Sequence, residues 1–378
     1  MKVLIVGGGI GGLAAMRCLS NAGHHVQLIE KRASFNAQGA GLMLGINAMK
    51  VLETLGVANE VVLRGQPLAL MNIVNEKGVQ IGGCNNVLME SHTGYKTIGI
   101  HRSELHEVLS AHLPQNNIRF NATLSSLKQQ NDQVVVSVNG GDEEKYDLMI
   151  AADGIHSSTR QLTGDYSRLR YAGYTCWRFV IDRPSSVNAV QAYEYWGCGK
   201  RFGVVPIGND KLYCFATMNS DEANSHHKNI AVNEFKSLFS RFSGVVPEIL
   251  QMMNCDVHII HGDLFDQKRL CMQQGRVAFL GDAAHAATPN MGQGAGMALE
   301  DVAVLAECLA ADVSITDALA VYDTRRRPRV KKIRNRSYMI GKVSQWESSI
   351  ARRTRNTVLR MIPSDGLSKD LCKLLMDY

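Results

Sequence analysis

The chain has 378 residues, 45% of them apolar and 20% charged, with a formal net charge of +6. That length and apolar content allow a large buried core and suggest two or three folding units, while no apolar run reaches the roughly 18 residues of a membrane-crossing helix. The nine cysteines stand singly, with no C-x-x-C pair and no His/Cys cluster, which speaks against a disulfide framework and against a metal site.

In chain order, Lys2 to Val6 is a short apolar run ending at glycines, with no signal-peptide pattern before it, so a cytoplasmic protein is expected. A helix from about Gly11 to Ala22 and a strand from Val26 to Glu30 complete a βαβ start. A helical segment follows around Ala48 to Leu55, and Leu70 to Gly82 reads as strand and turn. Ser103 is placed to cap a helix through Val108, with Glu104 and Glu107 near its positive end. Val134 to Val138 and Tyr146 to Ala152 read as strands. From about Tyr171 to Ile260 aromatic and apolar residues alternate, and Arg201 to Ile207 with Lys211 to Met218 read as a hairpin around Gly208-Asn209-Asp210. The strand Val277 to Leu280 and a basic helical tail from about Asp317 complete the chain.

Three turns carry the chemistry. In Val6-Gly7-Gly8-Gly9-Ile10-Gly11-Gly12, a pyrophosphate would find backbone N–H groups at a helix start and no side chain in the way. Gly7, Gly9 and Gly12 take the tight turn, the phosphate approach and the helix–strand contact, and Glu30, about 20 residues on, can accept from ribose hydroxyls. The second turn, Asp153-Gly154, ends a strand that starts near Asp147, and Ser157 and Arg160 follow it closely. The third, Gly281-Asp282-Ala283-Ala284-His285, is followed by Pro289-Asn290-Met291-Gly292-Gln293-Gly294, which opens a helix through Ala298 to Leu309. One such turn alone would also suit a nicotinamide dehydrogenase; a second and third point to a larger flavin dinucleotide.

In order and spacing these blocks resemble the FAD-dependent aromatic-ring hydroxylases, the class A monooxygenases of the para-hydroxybenzoate hydroxylase type. The resemblance implies an α/β fold: a Rossmann-like, glutathione reductase-type FAD-binding domain with an inserted mixed β-sheet substrate domain and C-terminal helices. The FAD-binding domain would comprise residues 1–70, 97–170 and 265–340, the substrate domain 71–96 and 171–264, and a helical segment 341–378. The cofactor implied is FAD, with NADH or NADPH as transient reductant and molecular oxygen as co-substrate. A small aromatic or heteroaromatic molecule would be hydroxylated through a C4a-hydroperoxyflavin. By the same resemblance Asp153 lies near the pyrophosphate and Asp282 meets the ribityl hydroxyls. The free N–H groups of the Gly292-Gln293-Gly294 helix start would face the flavin N1–C2=O edge, where reduced flavin is anionic. Gly11, Lys31, Arg32, Gly41, Leu42, Arg102 and Leu124 fall along the cofactor, as do Pro289 and Ala295. His285 is expected to pack or hydrogen-bond beneath it. A flavin reductase, dehydrogenase or halogenase of the same fold is the alternative enzyme, although no Trp-x-Trp-x-Ile halogenase tripeptide is present.

Register decides the substrate side. If Gly208-Asn209-Asp210 is a three-residue loop, residues whose numbers sum to 418 face each other and Arg201 and Tyr213 share a side; a two-residue loop would separate them. The hairpin and Arg170-Tyr171-Ala172-Gly173-Tyr174 resemble the FAD-dependent urate hydroxylases, which implies that Arg201 holds an anionic ring and Tyr213 orients it. Asn290 departs from the aspartate of those relatives, and an amide cannot accept a substrate proton as a carboxylate can. Urate therefore stands beside phenolic acids, quinone precursors and polyketides.

Between Arg325 and Arg360 thirteen Lys or Arg face the single acid Glu347. Interleaved apolar residues such as Tyr322, Val330 and Ile333 suggest an amphipathic helix whose solvated basic face packs on the FAD domain. The other readings are an anionic-membrane contact, or a flavin-binding adaptor for membrane or nucleic acid without catalysis; nucleic acid is not expected as a partner.

Overall fold

The computed structural model describes residues 1–35 and 40–378. The strand Lys2–Val6 pairs in parallel with His25–Ile29 on one side and with Leu148–Ala151 on the other, and the latter pairs in parallel with Val277–Phe279. Val3, Leu4 and Ile5 are fully buried, as a strand covered on both faces demands. Parallel pairing sets the C-terminal ends of three strands from distant parts of the chain side by side, so the three turns leave one edge of one sheet. Ile118–Arg119 and Gln273–Gln274 complete its six strands. The helices Ile10–Asn21 and Gly294–Leu309 pack together, while Val134 and Val136 of a three-stranded meander join the same core.

The second layer is a seven-stranded sheet in the order Ile260–Gln267, Leu169–Asp182, Lys211–Asn219, Lys200–Ile207, Gln191–Trp196, Leu70–Asn75, Gln80–Asn85. At its outer edge Leu169 pairs with Gln267, and the Leu169–Asp182 strand is long enough to pair along two neighbours. Alternation splits the sheet into two unlike faces. On one, Trp177, Phe179, Phe202, Val204 and Leu212 meet Phe235, Phe239 and Ile249 from two short helices. Trp177 lies edge-on to Phe235 at 5.9 Å, the favoured geometry for aromatic pairs. The other face carries Tyr174, Arg178, Arg201, Tyr213 and Phe215.

Hairpin pairing runs from Ile207 opposite Lys211 to Arg201 opposite Thr217, the three-residue-loop register, with Asn209 and Asp210 at positive φ. Arg201 and Tyr213 therefore share a face. That face closes on the nucleotide layer: a Cβ on Gly41 would lie 2.3 Å from the Tyr213 Cβ, and one on Gly208 only 1.8 Å from the Arg64 carbonyl oxygen. Gly41–Leu44 belongs to a small antiparallel sheet with Ile98–His101 and Gln66–Pro67.

Two expectations need correction. The helix beginning at Arg102 is capped by the His101 ring, which accepts from the Ser103 N–H, so Ser103 is a donor to the cap and not the cap itself. The basic segment is not simply a solvated face. Most of it lies in a helix of 30 residues, Ile315–Ser344, about 45 Å long, and the rest in the helix Ser349–Met361. Arg326 and Arg329 are buried against Glu300 and Asp301. Arg334 donates to the carbonyls of Gln267 and Lys268, and Arg355 to those of Val343 and Ser344. Arg326, Arg329 and Arg334 tie the long helix to the core, and Arg355 ties the following helix, Ser349–Met361, to its C-terminal end; Lys331, Lys332, Arg336 and Arg353 remain exposed. Among the described residues, no helix is long and apolar enough to cross a membrane and no cluster of metal-ligating side chains occurs.

Candidate active site

At the first turn Gly7 has φ +104, and a Cβ there would come within 2.5 Å of the Ala152 carbonyl oxygen, so the first and second turns touch through backbone. A Cβ on Gly12 would fall 1.9 Å from the Gly7 oxygen, which makes glycine obligatory where the helix crosses its own entrance. Gly9, by contrast, has nothing within 4 Å of its Cβ position, and the helix it precedes has no side-chain cap. Open space in front of free N–H groups is what a pyrophosphate needs. Glu30 accepts from the Gly8 N–H at 2.7 Å and from the Arg32 N–H at 2.9 Å. Its carboxylate is thereby fixed, with lone pairs left for a ligand.

Asp153 uses Oδ2 to accept from the Thr159 N–H at 3.0 Å, while its buried Oδ1 has no partner among the described residues. A half-satisfied carboxylate beside a glycine cradle suits a ligand donor. Asp282 follows Gly281, whose φ is +55. Asp282 and Arg102 both keep accessible surface although protein atoms crowd around them, which places them in the wall of an enclosed cleft. Burial raises the Asp282 carboxyl pKa, opposed by His285 and Arg102; burial lowers that of Arg102, opposed by Asp282.

The third turn is anchored from below. His285 Nε2 lies 2.6 Å from Asp301 Oδ2, which also accepts from the Gly281 N–H at 2.8 Å, and Arg326 donates to the other carboxylate oxygen at 2.7 Å. Burial alone would raise Asp301, but His285 and Arg326 hold it below the usual carboxylate range. His285 is thus buried beneath the turn. Gln293 is held by Asn47, whose amide also donates to Glu300. The helix Gly294–Leu309 has no side-chain cap and opens on space at Gly294. Of the other expected cofactor residues, Lys31, Arg32 and Pro289 are exposed, Leu42, Gly292 and Ala295 half-buried, and Leu124 buried in the core. Gly11 lies 3.5 Å, at its Cβ position, from Ala298 of the third block. Unpartnered Asp153 Oδ1, the open Gly9 and Gly294 positions and two uncapped helix starts fit FAD.

On the facing sheet Arg201 is 2% exposed. Its Nη1 donates to Glu194 at 2.9 Å, Nε to Thr217 at 3.2 Å and Nη2 to Asn290 Oδ1 at 2.8 Å. Asn290 Nδ2 donates to the Ser337 carbonyl at 2.8 Å, where an aspartate would set oxygen against oxygen. Tyr213 is bonded to Arg178, and because a guanidinium only donates, the phenol oxygen accepts and keeps its own proton to offer. Burial holds that phenol above its ordinary pKa, so it stays protonated. Val205 and Phe215 pack with it, and Phe215 joins it to Cys176 and Leu264, its ring lying across Gly203, whose Cβ position is 2.0 Å from that ring.

Glu194, Arg178, Asn47, Glu300 and Asp301 were not singled out from the sequence. A lone acid in the aromatic strand Gln191–Trp196, and an acid pair inside the apolar helix Gly294–Leu309, were the available signals.

Residues 1–337 match the family described as FAD binding domain. The aurachin C monooxygenase/isomerase of Stigmatella aurantiaca is 36% identical over 366 residues, covering 97% of this chain and 95% of the relative. The 2-heptyl-3-hydroxy-4(1H)-quinolone synthase of Pseudomonas aeruginosa (strain UCBPP-PA14) is 33% identical over 368 residues, covering 96% and 95%. In fold, the chain matches Klebsiella pneumoniae HpxO, solved with FAD and uric acid, with a TM-score of 0.93 at 23% identity, covering 100% of this chain and 97% of that one. With three turns converging on one cleft and relatives of this kind along nearly its whole length, the chain belongs to the FAD-binding-domain family and is an FAD-dependent aromatic monooxygenase.

Proposed function

We propose that the substrate is a neutral nitrogen heteroaromatic of the 4-quinolone type with an apolar side chain, hydroxylated at the ring carbon beside the carbonyl. The observation that carries this reading is the state of Arg201. All three of its nitrogens already have protein partners and its charge is matched by Glu194, so Arg201 offers no unmatched charge to a carboxylate or a urate anion. A buried, paired guanidinium beside apolar walls favours a ring without net charge. The names of the aurachin and quinolone relatives support the same class.

When bound, FAD supplies reduction by a nicotinamide nucleotide and activation of dioxygen. The balance is one C–H, one O2, one NAD(P)H and one proton giving one C–OH, one water and one NAD(P)+. In a 4-quinolone the ring nitrogen feeds electron density through the double bond to the carbon beside the carbonyl, the position an electrophilic oxygen attacks. Tyr213 donates to the carbonyl and fixes the ring; Arg201 acts on the substrate only by holding Asn290 and Glu194. Val205, Phe215, Cys176 and Leu264 exclude water.

The test is NAD(P)H oxidation by FAD-loaded protein with 2-heptyl-4(1H)-quinolone, urate and salicylate, with product mass read under isotopically labelled dioxygen. The quinolone is expected to give the highest kcat/KM and to gain one labelled oxygen atom. A higher kcat/KM for urate or salicylate would overturn the proposal.

A further inference from the structure

A cavity of about 830 Å³ lies between the start of the Leu169–Asp182 strand and the C-terminal end of the long helix Ile315–Ser344. Tyr171, Tyr174, Gln345 and Trp346 stand in its wall. Tyr174 is shared with the substrate face: its hydroxyl bonds Asn290 at 2.9 to 3.1 Å, and Asn290 holds Arg201. Cavity and substrate face are therefore separated by little more than one tyrosine and one asparagine.

Gln345 is 6% exposed, and neither its Oε1 nor its Nε2 has a hydrogen-bond partner among the described residues. Buried carboxamides are nearly always satisfied, and one with both ends free in the wall of a roomy cavity calls for a partner that both donates and accepts. The charged groups around it are Asp221, Glu222 and Glu347 against the single Lys342. That balance repels anions, the phosphates of a nicotinamide nucleotide included. Three aromatic side chains supply faces for a ring.

We propose that this cavity is a second binding site for the organic substrate, a vestibule where a neutral heteroaromatic with a ring N–H and a carbonyl is held by Gln345 before it passes Tyr174. The ligand class rests on the function proposed above. The probe is 2-heptyl-4(1H)-quinolone on the FAD-loaded protein, with turnover, tryptophan quenching and thermal stability measured in the wild type and in Gln345→Leu. The variant is expected to raise KM at least fivefold, to leave kcat and FAD content alone, and to keep or raise Tm, because leucine removes an unsatisfied amide. A structural role would instead lower Tm with KM unchanged, and that result, or no change in either, overturns the vestibule. If the wild type does not hydroxylate the quinolone but its tryptophan fluorescence is quenched by it and Gln345→Leu abolishes the quenching, the site stands while the substrate assignment falls. Turnover with quenching and KM indifferent to Gln345 sinks the vestibule and leaves the function intact.

Discussion

The nucleotide layer and the seven-stranded sheet face each other across one cleft, yet they present ligands with different materials. In the first, the surface consists of peptide groups, glycines such as Gly9 with open space ahead of them, and carboxylates pinned by backbone N–H groups, as Glu30 is. In the second it consists of side chains already engaged with one another, Arg201 with Glu194 and Arg178 with the Tyr213 phenol. A cofactor that carries its own charges and reactivity needs a rigid, generic cradle, whereas a substrate is selected by which polar atoms the wall leaves unmatched.

The largest effect expected from this contrast is on flavin retention. In Gly12→Ala the new methyl would lie 1.9 Å from the Gly7 oxygen, and backbone on both sides cannot yield. The variant should lose both flavin and stability, by more than about 3 kcal/mol. Asp282→Ala should separate the two properties. It removes a carboxylate that burial already disfavours, so the flavin is released while the flavin-free fold keeps its Tm. Flavin absorbance and thermal melts of both proteins decide the matter; full flavin occupancy in Asp282→Ala would remove that residue from the cofactor site.

A charge change on the opposite wall should alter selectivity without touching the cofactor. Glu194→Gln leaves an acceptor for Arg201 but strips its counter-charge, in a site where breaking a buried pair costs about 3–5 kcal/mol. Expected results are a lower Tm, unchanged FAD content and roughly tenfold tighter binding of salicylate, equivalent to about 1.4 kcal/mol. Salicylate affinity equal to wild type would show that Arg201 does not set the charge of the pocket.

The same contrast explains what could be read in advance. Glycine positions report backbone requirements directly, so the expected helix from about Gly11 to Ala22 is found at Ile10–Asn21, and the expected hairpin at Lys200–Ile207 and Lys211–Asn219. The loop length of that hairpin was the open question, and the pairing of Ile207 with Lys211 settles it. The Arg201–Glu194 pair was not legible, because it depends on which strand lies beside Lys200–Ile207 and on that strand's register. The strand Gly41–Leu44 escaped notice for a similar reason: its partner Ile98–His101 lies more than fifty residues away. The arginines after Arg325 read as surface charge because their partners, Glu300 and Asp301, sit inside an otherwise apolar helix.

The last effect concerns pH and is read as a difference between two proteins, and it belongs to the nucleotide layer alone. His106 is 7% exposed, its Nδ1 has no partner among the described residues, and burial together with the nearby Arg102 lowers its pKa from 6.5 to about 4, against the pull of Glu30. The unfolded chain takes up a proton on this histidine as pH falls below about 6.5, while the folded chain resists until about 4. Within that window the unfolded state binds more protons, so stability falls with falling pH, by up to about 3 kcal/mol. Above pH 6.5 His106 contributes no slope. Other groups titrate in the same range, and the informative quantity is the difference between wild type and His106→Leu in urea unfolding at pH 7, 5.5 and 4.5. The leucine variant should lose less stability than wild type across the window. Parallel losses in the two proteins would mean that His106 is protonated as readily in the fold as out of it, and that Arg102 and Arg32 do not make this part of the cleft wall positive.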